Sequence, residues 1–370
     1  MLAIVDDKIP FLAQVLEPCG IKVRYLPGAA ITAADVRDAD LLLVRTRTRC
    51  DAALLAASRV RFVGSATIGI DHLDTDYLDR RGIRWCNAPG CNAASVAQYV
   101  VSVLVNYAVH FHRPLAGLTF GIIGAGNVGS RVAAAARALG MRVLLNDPPR
   151  AEREQDGRFL PLDVLLPQAD VISMHVPLVD SGRHPSRHLA GEKFFEQLPP
   201  GTLLLNSGRG EVVDSEALKR ALQRQSLTAV LDVWENEPAI DRTLQELLWL
   251  GTPHIAGYSL DGKANGTAQV VRALAEFFQL PLRDFRPADL PAPPRSILHL
   301  PDGLPPAEEL QRAVNFSYDV RRDDAALRRD PGCFEFYRGN YPRRREFGAF
   351  TIHNASAAVA GVLSELGFQG

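Results

Sequence analysis

The chain has few cysteines, five in 370 residues, and they are scattered without a CxxC pair: Cys19, Cys50, Cys86, Cys91 and Cys333. An odd number of scattered cysteines argues against a disulfide framework and is typical of reduced thiols. We therefore expect a cytoplasmic protein, and the sequence predicts no metal site.

The chain also lacks an excess of charge of either sign. Its 41 basic and 42 acidic residues give a net charge of −1. Such a balance favours neither nucleic acid nor an anionic membrane as a partner. Asp6 and Asp7 interrupt the N-terminal stretch where a signal peptide needs a long apolar core. We expect no nucleic-acid and no membrane partner.

The most apolar stretch, residues 94–111, carries a polar residue at every fourth position: Gln98, Ser102, Asn106 and His110. Residues at that spacing share one face of a helix. One polar face on an otherwise apolar helix is typical of a helix buried in a soluble protein, not of a lipid-exposed span.

Residues 118–129 read LTFGIIGAGNVG, in which a short apolar run enters a GxGxxG turn ahead of a helical pattern. This is the context that a dinucleotide fingerprint requires. Gly124 permits the turn, and Gly126 lets the backbone approach a pyrophosphate. Gly129 lets the helix pack close to the strand. The stretch predicts a Rossmann-like domain that starts in mid-chain.

Asp147 ends the next predicted strand, eighteen positions after Gly129. An acid about twenty residues beyond the fingerprint binds a ribose 2′-hydroxyl and repels a 2′-phosphate. NAD is therefore favoured over NADP, although Arg150 nearby weakens that preference.

Apolar strand runs alternate with helical patterns on both sides of the fingerprint, including a helix that Asp214 caps and that runs to about Gln225. Strands without polar alternation predict parallel sheets covered on both faces, hence an α/β fold. Ligands of such sheets bind at the carboxyl ends of the strands, where four polar residues lie: Asp147, His175, Arg209 and Asp232. The proline-rich residues 286–295 predict a linker to a small C-terminal domain.

Three polar residues are candidates for acid–base chemistry. Arg209 lies in a glycine-flanked turn, where a guanidinium can bind a carboxylate through two hydrogen bonds. His254 has the side chain best suited to accept a hydroxyl proton near neutral pH. Glu237, next to Pro238, could orient that imidazole, as in other His–acid pairs. The alternatives are a surface ion pair for Arg209 and an ordinary half-buried His254, because spacing alone does not bring the three together.

The sequence resembles the D-isomer-specific 2-hydroxyacid dehydrogenases in four stretches: residues 124–129, 206–210, 232–238 and 252–257. The resemblance implies NAD-dependent oxidation of a 2-hydroxy acid. It implies that Arg209 binds the substrate carboxylate, that Glu237 orients the histidine, and that His254 is the acid–base group.

Four further stretches resemble a branch of that family with an extra C-terminal domain: residues 88–93, 147–151, 254–263 and 318–324. This resemblance implies a homodimer and a small phosphorylated hydroxy acid as substrate, with Thr46, Thr67 and Tyr258 as substrate contacts. The implied NAD contacts are Gly124, Gly126, Asn127, Val128, Gly129, Asp147, His175, Val176, Asn206, Ser207, Gly208, Asp232 and Gly257. At Val176 a relative has threonine, so one hydroxyl contact with the cofactor is lost.

The expected fold is therefore α/β, with two Rossmann-like lobes and a small α+β C-terminal dimerisation domain. The substrate-binding lobe is expected to be discontinuous, formed by residues 1–95 and 256–285. The NAD-binding lobe, residues 96–255, is inserted into it. Residues 286–370 form the C-terminal domain.

The substrate phosphate needs donors of its own, and the segment VRTRTRC offers Arg45, Arg47 and Arg49. Alternate residues of an extended segment point the same way. A solvated edge explains these arginines equally well, and residues 343–345 of a partner subunit are another source. Two functional alternatives also stay open. One is a different hydroxyacid dehydrogenase, such as a 3-phosphoglycerate enzyme with a regulatory tail. The other is a non-catalytic NAD-sensing scaffold.

Overall fold

The computed structural model describes residues 1–224, 227–288 and 290–370, and every element named below lies in those ranges. The strands are β1 (Leu2–Asp6), β2 (Lys22–Leu26), β3 (Leu41–Val44), β4 (Phe62–Ser65), β5 (Arg84–Cys86), β6 (Thr119–Ile123), β7 (Arg142–Asn146), β8 (Val171–Met174), β9 (Thr202–Asn206), β10 (Leu227–Leu231), β11 (Leu250–Gly251), β12 (Ile297–His299) and β13 (Thr351–His353).

The α-helices are α1 (Ala33–Val36), α2 (Ala52–Leu55), α3 (Thr75–Arg80), α4 (Ala93–His110), α5 (Asn127–Ala138), α6 (Pro148–Glu154), α7 (Leu162–Leu165), α8 (Glu192–Phe195), α9 (Ser215–Gln223), α10 (Arg242–Leu247), α11 (Leu260–Phe278), α12 (Pro306–Ser317), α13 (Val320–Arg329), α14 (Phe334–Gly339) and α15 (Ala357–Leu366). Short 3₁₀ turns span Glu17–Cys19, Gly28–Ala30, Leu166–Gln168, Gly210–Val212, Pro331–Cys333 and Phe347–Ala349. Gln225, the predicted end of the helix after Asp214, lies outside the described residues.

The chain divides into two compact units. The first comprises Met1–Asn92 and Ser259–Pro291, and the second comprises Ala93–Tyr258 and Ala292–Gly370. The first unit contains a parallel sheet in the order β2-β1-β3-β4-β5. Its central strands are buried on both faces, and α11 packs on one of them through Val271 and Leu274. Gly64 on β4 permits this packing, since a Cβ there would lie 2.5 Å from a methyl group of Val270.

The second unit contains a parallel sheet in the order β11-β10-β9-β8-β6-β7. Beyond β7, a single parallel bridge joins Leu145 to Phe159, and Asn146 donates to the Leu160 carbonyl at 2.7 Å. These contacts lie where a further strand of a Rossmann sheet would run. All strands of this sheet end at the same edge, because parallel strands share one direction.

The C-terminal segment adds helices and the short parallel pair β12–β13, and its core is continuous with that of the second unit. Helix α4 is the contact surface. Gln98 donates to the Arg345 carbonyl at 3.0 Å, and Ser102 donates to the Tyr318 carbonyl at 3.0 Å. Asn106 donates to the Asn315 side chain at 2.9 Å. The polar face seen in the sequence is therefore the docking face for α12 and the residues after it.

By length and composition, α4 is the one helix within the described residues that could cross a membrane, and 78% of it is buried inside the protein. The predicted α/β class, with two parallel sheets and a small C-terminal sheet, is confirmed. Strand β2 is absent from the sequence prediction, because it contains no apolar run and none of its residues is fully buried.

Candidate active site

The glycine turn lies between β6 and α5. Gly124 has a φ of +86°, and a Cβ there would lie 2.8 Å from the carbonyl oxygen of His175. A Cβ on Gly129 would lie 2.0 Å from the Gly124 carbonyl oxygen, so only glycine fits. A Cβ on Gly126 would meet nothing within 4 Å. Gly126 therefore leaves room before the first turn of α5, which Asn127 begins, for a pyrophosphate at the helix N-terminus.

Asp147 follows β7 and caps α6. Its carboxylate accepts the Ala125 N–H at 2.9 Å and the Arg150 N–H at 3.1 Å, so it braces the glycine turn. The Arg150 guanidinium forms an ion pair with Glu154 at 2.7 Å and donates to the Ala125 carbonyl. Because its charge is compensated by Glu154, Arg150 offers little attraction to a 2′-phosphate. The turn and its acid fit NAD.

His175 and Val176 follow β8 and lie against the glycine turn. The Nε2 atom of His175 lies 2.9 Å from the Ser173 hydroxyl, and its Nδ1 atom lies 3.5 Å from the Ser207 hydroxyl. Burial lowers the pKa of His175 to about 3, so the imidazole is neutral at physiological pH. A methyl group of Val176 lies 2.8 Å from where a Cβ of Gly124 would be.

Arg209 lies in the turn after β9. The Asn206 side chain closes this turn by donating to the Arg209 carbonyl at 2.9 Å and accepting the Gly208 N–H at 3.1 Å. A Cβ on Gly210 would lie 2.0 Å from the carbonyl carbon and oxygen of Trp234. Glycine at this position therefore lets the turn pack directly on the segment that leads to Glu237.

Glu237 joins that segment to His254. One carboxylate oxygen accepts the Trp234 N–H at 2.9 Å, and the other lies 2.7 Å from Nδ1 of His254. The His254 side chain is 27% exposed and that of Glu237 is 18% exposed, so the pair is accessible but shielded. A carboxylate on Nδ1 fixes the tautomer, and Nε2 is then the nitrogen that can take a proton.

Asp232, which is 1% exposed, shapes the loop that carries His254. Its carboxylate accepts the N–H groups of Ile255 and Ala256, each at 2.8 Å, and the Thr252 hydroxyl at 2.6 Å. The backbone N–H of His254 also donates to the Asp232 carbonyl at 2.7 Å. His254 is held at a φ of +56°, a left-handed conformation that is uncommon for a non-glycine residue.

The C-terminal segment contributes residues that the sequence prediction missed. Asp324 accepts the Gly251 N–H at 2.7 Å, just before the histidine loop. Arg344 is 6% exposed, donates to the carbonyls of Ser95 and Ala256, and lies over the Tyr318 ring at 4.4 Å. The basic run at 343–345 was the available signal, but Arg344 is buried in its own chain and is not a phosphate donor for a partner.

Arg338, on α14, also reaches this region. It hydrogen-bonds the Tyr258 side chain and lies close enough to Glu237 to be attracted by it. Burial lowers the pKa of Arg338, but Tyr258, Glu237 and Glu335 outweigh that effect, so its pKa is raised overall and it remains charged. Nothing in the local sequence, FEFYRG, indicated this placement.

The remaining predicted contacts lie in the first unit. Thr67 follows β4, and its hydroxyl lies 2.8 Å from that of Ser65. Thr46 is exposed in a turn. Arg45 donates to the Lys8 carbonyl at 3.3 Å. The expectation of an extended segment through Arg49 is wrong, because β3 ends at Val44 and a turn follows, so these arginines do not alternate along a strand.

Comparison with known proteins defines the class first. Residues 96–256 match the model of the D-isomer specific 2-hydroxyacid dehydrogenase NAD binding domain, and residues 290–367 match a domain of unknown function, DUF3410. D-lactate dehydrogenase from Aquifex aeolicus, solved with NAD and lactic acid, has a TM-score of 0.61 and 27% identity, covering 75% of this chain and 96% of that one.

Erythronate-4-phosphate dehydrogenase of Bacteroides fragilis is 47% identical, over 95% of this chain and 99% of that protein. The protein of the same name from Chromohalobacter salexigens is 48% identical, over 95% of this chain and 94% of its own length. The chain belongs to the erythronate-4-phosphate dehydrogenases, within the D-isomer-specific 2-hydroxyacid dehydrogenases. The resemblance seen in the sequence is confirmed, and so is NAD as the cofactor.

Proposed function

We propose that this NAD-dependent oxidoreductase oxidises 4-phospho-D-erythronate at C2 to 2-oxo-3-hydroxy-4-phosphobutanoate, a step in pyridoxal 5′-phosphate (vitamin B6) biosynthesis. The observation that carries the proposal is the Glu237–His254 pair at 2.7 Å, in a chain of this family. The family resemblance and the substrate named for its relatives support the choice of acid.

The reaction consists of a proton transfer from the C2 hydroxyl and a hydride transfer from C2. Nε2 of His254 takes the proton of the C2 hydroxyl while the C2–H bond breaks. NAD held at the glycine turn of residues 124–129 would supply the acceptor for the hydride that leaves C2. Glu237 stabilises the imidazolium that forms, because its carboxylate is already on Nδ1. Arg209 binds the substrate carboxylate through charge-assisted hydrogen bonds.

The cofactor and substrate contacts are part of the same proposal. The residues that would hold NAD are Gly124, Gly126, Asn127, Val128, Gly129, Asp147, His175, Val176, Asn206, Ser207, Gly208, Asp232 and Gly257. Thr46, Thr67, Tyr258 and Arg45 contact the substrate. Two observations support these assignments to cofactor and substrate. Many of the residues follow the carboxyl ends of strands, and the family resemblance implies the same contacts.

The assembly and location are proposed on similar grounds. Residues 1–95 and 256–285 bind substrate, 96–255 bind NAD, and 286–370 join two copies of the chain into a homodimer. The enzyme works in the cytoplasm, where the five cysteines, all free thiols in the structure, would stay reduced.

The test is a panel of 2-hydroxy acids, including 4-phospho-D-erythronate, 3-phospho-D-glycerate and D-lactate, assayed with NAD and NADP. We expect the highest kcat/KM with 4-phospho-D-erythronate and NAD, read as NADH absorbance. A higher value with 3-phospho-D-glycerate would identify a different dehydrogenase. Absence of turnover with every acid would favour a non-catalytic scaffold.

A further inference from the structure

Arg338 is a partly exposed arginine near the Glu237–His254 pair that has an unpaired donor. Arg344 has two buried nitrogens without a partner, but it is only 6% exposed. The Arg338 side chain is 26% exposed, and its Nε atom is buried without a hydrogen-bond partner. Its ion pair with Glu335 is a long contact of 3.5 Å. A buried donor left unpaired is costly and calls for an explanation, and a ligand that accepts a hydrogen bond from it is one such explanation.

Arg328 shows how the same segment pairs an arginine that only supports structure. Its Nε atom donates to both carboxylate oxygens of Asp324 at 2.9 Å, and its other nitrogens donate to backbone carbonyls, including that of Leu248 at 2.8 Å. Arg338 has no comparable carboxylate pair among the described residues. Arg328 is thus held by protein partners, whereas Arg338 is partly exposed and keeps one unpaired nitrogen.

The neighbours of Arg338 place its guanidinium near the Glu237–His254 pair. The guanidinium hydrogen-bonds Tyr258, a proposed substrate contact, and is attracted by Glu237, the partner of His254. Arg209 is assigned to the substrate carboxylate. A phosphorylated hydroxy acid carries a second, more highly charged anionic group, and arginine binds phosphate with its planar fork of donors.

We propose that Arg338 binds the phosphate group of the substrate, with the Tyr258 hydroxyl beside it. The C-terminal segment thereby selects a phosphorylated hydroxy acid over its unphosphorylated counterpart. This assignment rests on the proposed function.

The test compares 4-phospho-D-erythronate with D-erythronate, the same acid without phosphate, in wild type, Arg338→Gln and Arg338→Lys. For Arg338→Gln we expect kcat/KM to fall by about 10- to 100-fold with the phosphorylated acid and to change less than about threefold with D-erythronate. Arg338→Lys should recover part of the loss, which also shows that the variants fold. Arg329→Gln, an exposed arginine on α13, is the matched control and should behave as wild type.

A second readout is inhibition by inorganic phosphate, competing with whichever 2-hydroxy acid the wild type turns over. Its Ki should rise at least about tenfold in Arg338→Gln and stay unchanged in Arg329→Gln. Equal losses with both acids, or an unchanged Ki, would overturn the assignment. Wild type that oxidises another acid but not 4-phospho-D-erythronate would instead overturn the proposed function, and the phosphate Ki would still report on Arg338.

Discussion

Single residues set the geometry of the site through close approaches and not only through functional groups. Gly210 touches the Trp234 backbone, and that contact brings the turn carrying Arg209 against the segment carrying Glu237. His254 keeps a left-handed backbone because Asp232 holds the residues around it. The Glu237–His254 pair is thus positioned by close backbone packing and by the hydrogen bonds of Asp232.

Replacing Gly210 with alanine tests this at the residue scale. The new Cβ would lie 2.0 Å from the Trp234 carbonyl carbon, so the turn must move and carry Arg209 with it. We expect kcat/KM to fall by about 100-fold or more, because displacements near 1 Å cost that much. Gly157→Ala, where a Cβ meets nothing within 4 Å, is the control. Wild-type kcat/KM in Gly210→Ala would show that the close approach is unimportant.

At the scale of elements, α4 links the sheet of the second unit to the C-terminal segment. Ser102 is fully buried, donates to the Tyr318 carbonyl and accepts the Val320 N–H at 3.1 Å. One hydroxyl therefore satisfies two backbone groups where α12 gives way to α13. The residues that follow lead to Asp324 and so to the histidine loop.

Ser102→Ala should destabilise the protein because both backbone groups would lose their partner in a buried site. We expect the free energy of unfolding to fall by about 1–3 kcal/mol. Urea unfolding followed by circular dichroism measures the change, with Ser181→Ala in an exposed loop as the control. Equal stability of the two variants would mean that water replaces the hydroxyl.

At the scale of the whole molecule, much of the fold could be predicted from the sequence because local patterns determined it. The glycine turn, the buried strands and the polar face of α4 each carry a periodic or positional signal. Helix α11 starts at Leu260, where Ser259 caps it by accepting the Gly262 N–H. Its glycine-containing first turns concealed that start.

The site was less predictable than the fold. Motifs indicated Arg209, Glu237 and His254, but no local signal indicated that Arg338 and Asp324 approach the same region, and the basic run at 343–345 did not show where Arg344 packs. Their placement depends on the C-terminal segment folding onto α4, which involves contacts more than two hundred residues apart, such as that of Gln98 with Ser317. Spacing along a chain does not reveal such long-range contacts.

The most direct test of the central claim is the turnover of His254→Ala with 4-phospho-D-erythronate and NAD, with His112→Asn as an exposed control. If His254 takes the hydroxyl proton, kcat should fall by about 10²–10⁴-fold while NAD affinity stays within about threefold of wild type. A wild-type kcat in His254→Ala would contradict the account.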